Sequence, residues 1–76
     1  MNATTPHIVD EGGHFAVYVD RHDGRGWSLV GTTPTGIRAG YQEARDRIRA
    51  DGTAKARQWA ARYTDQPVAI EARPAT

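Results

Sequence analysis

The sequence contains no cysteine and only one lysine, one phenylalanine and one serine. Without cysteine the chain has no disulfide, no thiol nucleophile and no cysteine-ligated zinc site. No apolar run approaches the roughly 18 residues of a membrane span, and the first six residues lack the basic start and apolar stretch of a signal peptide. We therefore predict a cytoplasmic protein that does not bind a membrane.

Length and composition favour one small domain. The chain has 76 residues, of which 38% are apolar and 25% are charged. It is too short for two domains and too apolar for a wholly disordered chain. We predict a disordered segment over residues 1–6, a single α+β domain over residues 7–73 and a short tail over residues 74–76.

Charge is distributed unevenly, although the formal net charge is only +1. Residues 36–63 carry a net charge of +4, whereas residues 1–35 carry −2 and residues 64–76 carry −1. All the basic residues except one are arginine, whose planar guanidinium suits carboxylate, phosphate and aromatic partners. The middle of the chain is therefore the part whose composition favours binding to an acidic partner.

The first half of the sequence predicts strands. Apolar and polar residues alternate over residues 14–20, which is the clearest strand pattern in the chain. The glycine-rich turn of residues 21–26 and a return strand over residues 27–30 complete a hairpin. A short apolar segment around Ile8 and Val9 indicates a further strand, whose pairing in the sheet stays open.

The second half predicts helix. Thr33 followed by Pro34 is a helix start signal. Apolar residues then recur at spacings of three and four, as on one buried helix face: Ile37, Tyr41, Ala44 and Ile48. Gly52 followed by Thr53 is typical of a helix that ends and restarts, so we favour two short helices. One kinked helix with Gly52 against the sheet is the alternative.

A last strand is indicated over residues 68–73, where apolar and polar residues alternate again. A sheet with one apolar face and a helical apolar stripe can bury each other. We therefore predict an α+β fold in the order β-β-(β)-α-(α)-β, an antiparallel sheet of three or four strands with the broken helix, or two short helices, on one face. The predicted core is as follows: Phe15, Val17, Val19, Leu29, Ile37, Tyr41, Ala44, Ile48, Trp59, Val68 and Ile70.

The element order over about residues 14–50 resembles that of the small sheet-plus-helix domains of the HicB antitoxin type. The resemblance covers the strand-turn-strand and the segment from Thr35-Gly36-Ile37 to Ile48. It includes no residue motif and therefore implies no site residue. In size and style the chain is also similar to accessory proteins of phages and plasmids.

The sequence contains none of the motifs typical of catalysis or of metal and cofactor binding. His7, His14 and His22 do not have the spacing of a metal site. Ser28 is the one serine, and it does not lie in a nucleophile elbow. The glycine pairs lie in turns between strands rather than in a strand-to-helix phosphate loop. We therefore predict a non-enzymatic protein with no catalytic residue, no metal and no cofactor.

Three arginines of the predicted helix form the strongest binding pattern. Arg38, Arg45 and Arg49 lie seven and four residues apart, so that on a helix they would share one solvent face. Such a row could bind an acidic protein surface or a phosphate backbone. Glu43 and Asp46 dilute the positive charge, which favours a protein partner of mixed charge.

Two aromatic residues complete the predicted contact surface. Tyr18 takes the outer face of its strand, and Trp27 borders the hairpin tip, where it could lie in the core or in an exposed patch. We predict that either ring could anchor a partner. The rest of the predicted outer sheet face is mixed: His14, Ser28, Val30, Glu71 and Arg73.

These observations predict a small inhibitor or regulator, of phage or mobile-element type, that binds a protein partner and occludes its surface. Nucleic-acid binding through the arginine-rich helix is the alternative. A core this small would gain from a second copy at the open face or edge of the sheet. The sequence does not distinguish a homodimer from a monomer.

Overall fold

The computed structural model describes residues 4–72, which form four strands and one helix. In chain order these are β1 (Thr5–Asp10), β2 (His14–Asp20), β3 (Trp27–Pro34), α1 (Gln42–Ala60) and β4 (Ile70–Ala72). The sheet order is β3-β2-β1-β4, and α1 packs on one of its faces. The predicted α+β class is confirmed. No helix in the described part of the chain is long and apolar enough to cross a membrane.

The first strand begins earlier than predicted. Thr5 and Pro6 were expected to be disordered, but both pair with the end of β2. Ile8 and Val9 pair with the middle of β2, so the segment around them does belong to the sheet. Residues 1–3 and the residues from Arg73 onward, which include the predicted tail, lie outside the described part of the chain.

The third strand is longer than predicted and takes in the expected helix start. Thr33 and Pro34 pair with the beginning of β2. Within the described residues β3 is an edge strand, and an edge strand tolerates proline because the outer side needs no backbone donor. The Thr33 hydroxyl does not cap a helix but donates a hydrogen bond to the Gly52 carbonyl at 2.7 Å. The helix begins only at Gln42.

The helix is continuous through Gly52, so the prediction of two short helices was wrong. Gly52 is buried, and a Cβ atom placed there would overlap the carbonyl oxygen of Pro34. Gly52, Ala56 and Ala60 are the buried residues of α1 and lie at spacings of four on one face. Their small size lets the helix backbone approach the sheet closely, which explains the glycine without a helix break.

The direction of β4 follows from the single helix. β1, β2 and β3 alternate in direction, and α1, about 28 Å long at 1.5 Å per residue, carries the chain back once. The next strand therefore runs parallel to β1, as observed. The sheet is therefore mixed, and the prediction of an antiparallel sheet was wrong for β4.

The core lies between α1 and the sheet. Four large side chains in it are fully buried: Phe15, Ile8, Val17 and Val19. Three residues predicted for the core are exposed instead, Leu29 by 56%, Ile37 by 61% and Tyr41 by 80%. Ile37 and Tyr41 precede the first residue of α1, so the apolar stripe to which they were assigned is not one helix face.

Candidate functional site

The face of the sheet opposite α1 carries a cluster of large side chains. Trp27 and Leu29 are two residues apart on β3, so their side chains lie on the same face, and they are 46% and 56% exposed. Leu29 pairs with Tyr18 of β2, which in turn pairs with His7 of β1. We call these four residues, His7, Tyr18, Trp27 and Leu29, the aromatic face.

The rings of the aromatic face are held in place by one another and by carboxylates. The His7 ring stacks on Trp27, with ring centroids 3.7 Å apart and planes 8° from parallel. The Tyr18 ring lies 6.0 Å from Trp27, tilted by 49°. His7 Nδ1 lies 2.9 Å from a Glu71 carboxylate oxygen, and the Tyr18 hydroxyl donates to Glu11 at 2.8 Å. The two predicted anchors, Tyr18 and Trp27, are therefore brought together.

The side chains of Leu29 and Val30 on β3 each lie on the sheet face opposite to the one predicted for them. Leu29, expected in the core, lies on the aromatic face, whereas Val30, expected outside, packs against the core. An irregularity in the β2–β3 register lies next to these residues. Gly31 lies directly under the Trp59 ring of α1 and leaves no room there for a side chain. Because side chains alternate along a strand, a shift by one residue exchanges the two faces.

The three predicted contact arginines do not form one helical row. Arg38 lies in the turn before α1. Arg45 is on the helix, where it donates hydrogen bonds to the Ala39 carbonyl and to the Gln42 side chain, both at 3.0 Å. Arg49 is also on the helix, but its partner lies in the sheet.

Arg49 ties α1 to the end of β1. Its Nη2 atom lies 2.9 Å from Asp10 Oδ2, and its guanidinium lies 5.0 Å from the centroid of the Phe15 ring. The hydrogen bond from Arg49, helped by one from the Gly12 backbone N–H, holds the pKa of Asp10 below its ordinary value. These contacts give Arg49 a role within the fold that heptad spacing could not indicate.

We expect the Asp10–Arg49 contact to make stability depend on pH in the acid range. The pKa of Asp10 is lowered in the folded chain from about 3.8, so the contact stabilises the fold above that pH and is lost as pH falls through the folded pKa. Asp10→Asn should cost under about 1 kcal/mol at neutral pH, because the Arg49 side chain is 51% exposed. Urea unfolding at neutral and acid pH measures the difference from wild type. A difference that does not shrink in acid would contradict this role.

A hydroxyl, an imidazole and a carboxylate lie in sequence at the hairpin end of the sheet. Thr5 Oγ1 lies 2.9 Å from His22 Nε2, and His22 Nδ1 lies 3.5 Å from Asp20 Oδ2. Hydrolase triads use this order of groups. Here the Thr5 residue is exposed and the His22 side chain is 52% exposed. Nucleophile activation is favoured by a pocket that excludes water, so we interpret the chain of contacts as a tie between β1 and the hairpin.

The geometry of the described residues gives little support for a metal site. Within residues 4–72, no three side chains of histidine, aspartate or glutamate come together as a metal site. Sequence reasoning missed His7 and Leu29 as site residues. Both pair with Tyr18, and the strand register that sets this pairing was the only signal that could have identified them.

Comparisons of the chain with protein-family models, with curated proteins and with solved structures found no match.

Proposed function

We propose that the chain is a non-enzymatic protein-binding module that uses the aromatic face to cover a surface of its partner. The observation that carries this proposal is the exposure of Trp27 and Leu29, by 46% and 56%, side by side on a strand of the sheet. Tryptophan is enriched among the residues that dominate binding energy at interfaces. An inhibitor or regulator that occludes its target needs such a surface and no catalytic group.

The arrangement of the rings favours tight binding of a partner, because it orders the Trp27 side chain in advance. Trp27 is stacked on His7, and His7 is itself hydrogen-bonded to Glu71. A side chain that is already ordered before binding loses less conformational entropy when the partner arrives. Trp27 is therefore suited to act as the anchor of the interface.

The charges around the aromatic face favour a protein over a nucleic acid. Glu71 and Glu11 bind the His7 and Tyr18 side chains, and Asp20 pairs with Trp27 across the sheet. Carboxylates at these positions repel a phosphate backbone and attract basic side chains. The partner that fits has an apolar centre with arginine or lysine around it.

Nucleic-acid binding through α1 is the less well supported function. The row of Arg38, Arg45 and Arg49 would have to track a phosphate backbone. Arg38 lies outside the helix, and Arg45 and Arg49 have hydrogen-bond partners within the chain. Lys55, also on α1, lies 3.0 Å from the Asp51 carboxylate.

A differential capture experiment tests the proposed function. Wild-type protein, a Trp27→Ser/Leu29→Ser variant and an Arg47→Ser control are immobilised and exposed to lysate of the native host, with and without nuclease treatment. Arg47 is exposed on α1, away from the aromatic face. We expect at least one protein to be retained by wild type and by the control but lost from the double variant. Identical protein sets on all three, or capture that nuclease abolishes, would contradict the proposal.

A further inference from the structure

A groove runs along the outer edge of β3 on the side of α1. β3 ends the sheet, and no strand in residues 4–72 pairs with its outer side. The groove is formed by one stretch of β3 and one flank of the helix end: Thr32, Thr33, Pro34, Lys55, Gln58, Trp59 and Arg62. It includes none of the four residues of the aromatic face.

The helix flank of this groove is basic. Arg62 lies with its guanidinium 4.3 Å from the centroid of the Trp59 ring, and that ring rests against Gly31 of β3. Arg62 is therefore held beside the sheet edge. Lys55 lies on α1, seven residues before Arg62, which follows the helix end, and the contact of Lys55 with Asp51 joins two side chains that are each 59% exposed. Such an exposed ion pair is weak, so Lys55 can form an ion pair with a carboxylate of a partner instead.

We propose that this groove binds an extended acidic segment of a partner protein, which adds to the sheet beside β3 as a fifth strand. An added strand lies about 4.8 Å from its neighbour and uses the backbone groups that an edge strand leaves unpaired. Its alternate side chains project toward α1, where Lys55 and Arg62 line the groove. Glutamate or aspartate at those alternate positions complements the two cations.

A second copy of the chain does not fit the groove as well. Symmetric pairing of β3 with β3 of another copy brings the same patch of both molecules together. Lys55 and Arg62 of one copy would then lie near Lys55 and Arg62 of the other, and like charges across an interface are unfavourable. The charge of the groove therefore selects an acidic segment over self-association.

The probe for this inference is a pair of synthetic peptides. One alternates valine with glutamate, and the other carries lysine in place of glutamate. Each is titrated into isotopically labelled protein, and backbone amide shifts are followed by NMR. We expect saturable shifts at Gly31–Thr33 and along residues 55–62 with the glutamate peptide, and binding of the lysine peptide roughly tenfold weaker or more.

A pair of variants links this selectivity to the groove. Lys55→Gln with Arg62→Gln should bring the affinities for the two peptides together, whereas Arg38→Gln with Arg47→Gln, which removes the same charge elsewhere, should preserve the preference. The inference would be overturned if both peptides bound wild type equally, or if the shifts centred on Trp27 and Leu29. It would also be overturned if no shift were saturable, or if concentrating the protein alone produced the same shifts. Because the peptides are tested directly, the outcome is independent of capture by the aromatic face.

Discussion

Replacing Gly52 with alanine is expected to destabilise the fold by about 2–3 kcal/mol or more. In an exposed helix the same change would stabilise by roughly 1 kcal/mol, because alanine has the higher helix propensity. Here the new Cβ atom would overlap the Pro34 carbonyl oxygen, which belongs to the backbone of β3 and cannot rotate away. The hydrogen bond from Thr33 to the Gly52 carbonyl holds the two backbones at this distance. Helix and strand would have to separate.

Thermal unfolding measures this effect, and another glycine provides the matched control. A loss of this size corresponds to a fall in melting temperature of roughly 10–20 °C for a domain of this length. Gly40→Ala adds the same methyl group where nothing lies within 4 Å and should leave the melting temperature unchanged or slightly raised. If Gly52→Ala melted with or above wild type, the close contact between α1 and β3 would not exist.

Replacing Trp27 with alanine is expected to weaken binding to the captured partner by about 30-fold or more, which corresponds to roughly 2 kcal/mol. Trp27 is 46% exposed in the chain alone and stacks on His7, so nearly half of its surface remains for the partner to cover. Isothermal titration measures the affinity, and circular dichroism checks that the variant is folded.

Arg47→Ala is the control for this substitution. Arg47 is exposed on α1, so its removal changes charge without touching the aromatic face. We expect it to bind within about threefold of wild type, because charges remote from the centre of an interface contribute little. A folded Trp27→Ala variant that binds as tightly as wild type would remove the tryptophan from the interface, whatever the control shows.

The part of the fold that sequence predicts well is the part encoded by local alternation. β2 spans His14–Asp20 as predicted, because its apolar residues alternate without interruption and a glycine-rich turn follows it. The hairpin with β3 is confirmed for the same reason. These features depend on neighbours within a few residues.

The main error in the fold came from a contact between residues distant in sequence. A glycine in a helical stretch indicates a cap when only its neighbours are known. Gly52 instead lies under Pro34, 18 residues earlier in the chain, and that contact is invisible to local pattern. Treating it as a break produced the prediction of two helices, whereas the chain forms one.

The candidate site was predictable in part for related reasons. Tyr18 and Trp27 were identified because large rings near a strand face or a hairpin tip are visible in the sequence. Leu29 was assigned to the core because the register irregularity that turns β3 cannot be read from one strand alone. Arg49 was assigned to a partner because its actual partner, Asp10, lies 39 residues away.

The central claim, that the aromatic face is the binding surface, is tested most directly by hydroxyl-radical footprinting of the chain alone and in complex with the captured partner. We expect the oxidation of Trp27 and Leu29 to fall strongly in the complex. Ile37 and Tyr41, which are 61% and 80% exposed in the loop before α1, serve as internal references and should be oxidised as before. Unchanged oxidation of Trp27 and Leu29 together with protection of Ile37 and Tyr41 would show that the partner binds elsewhere.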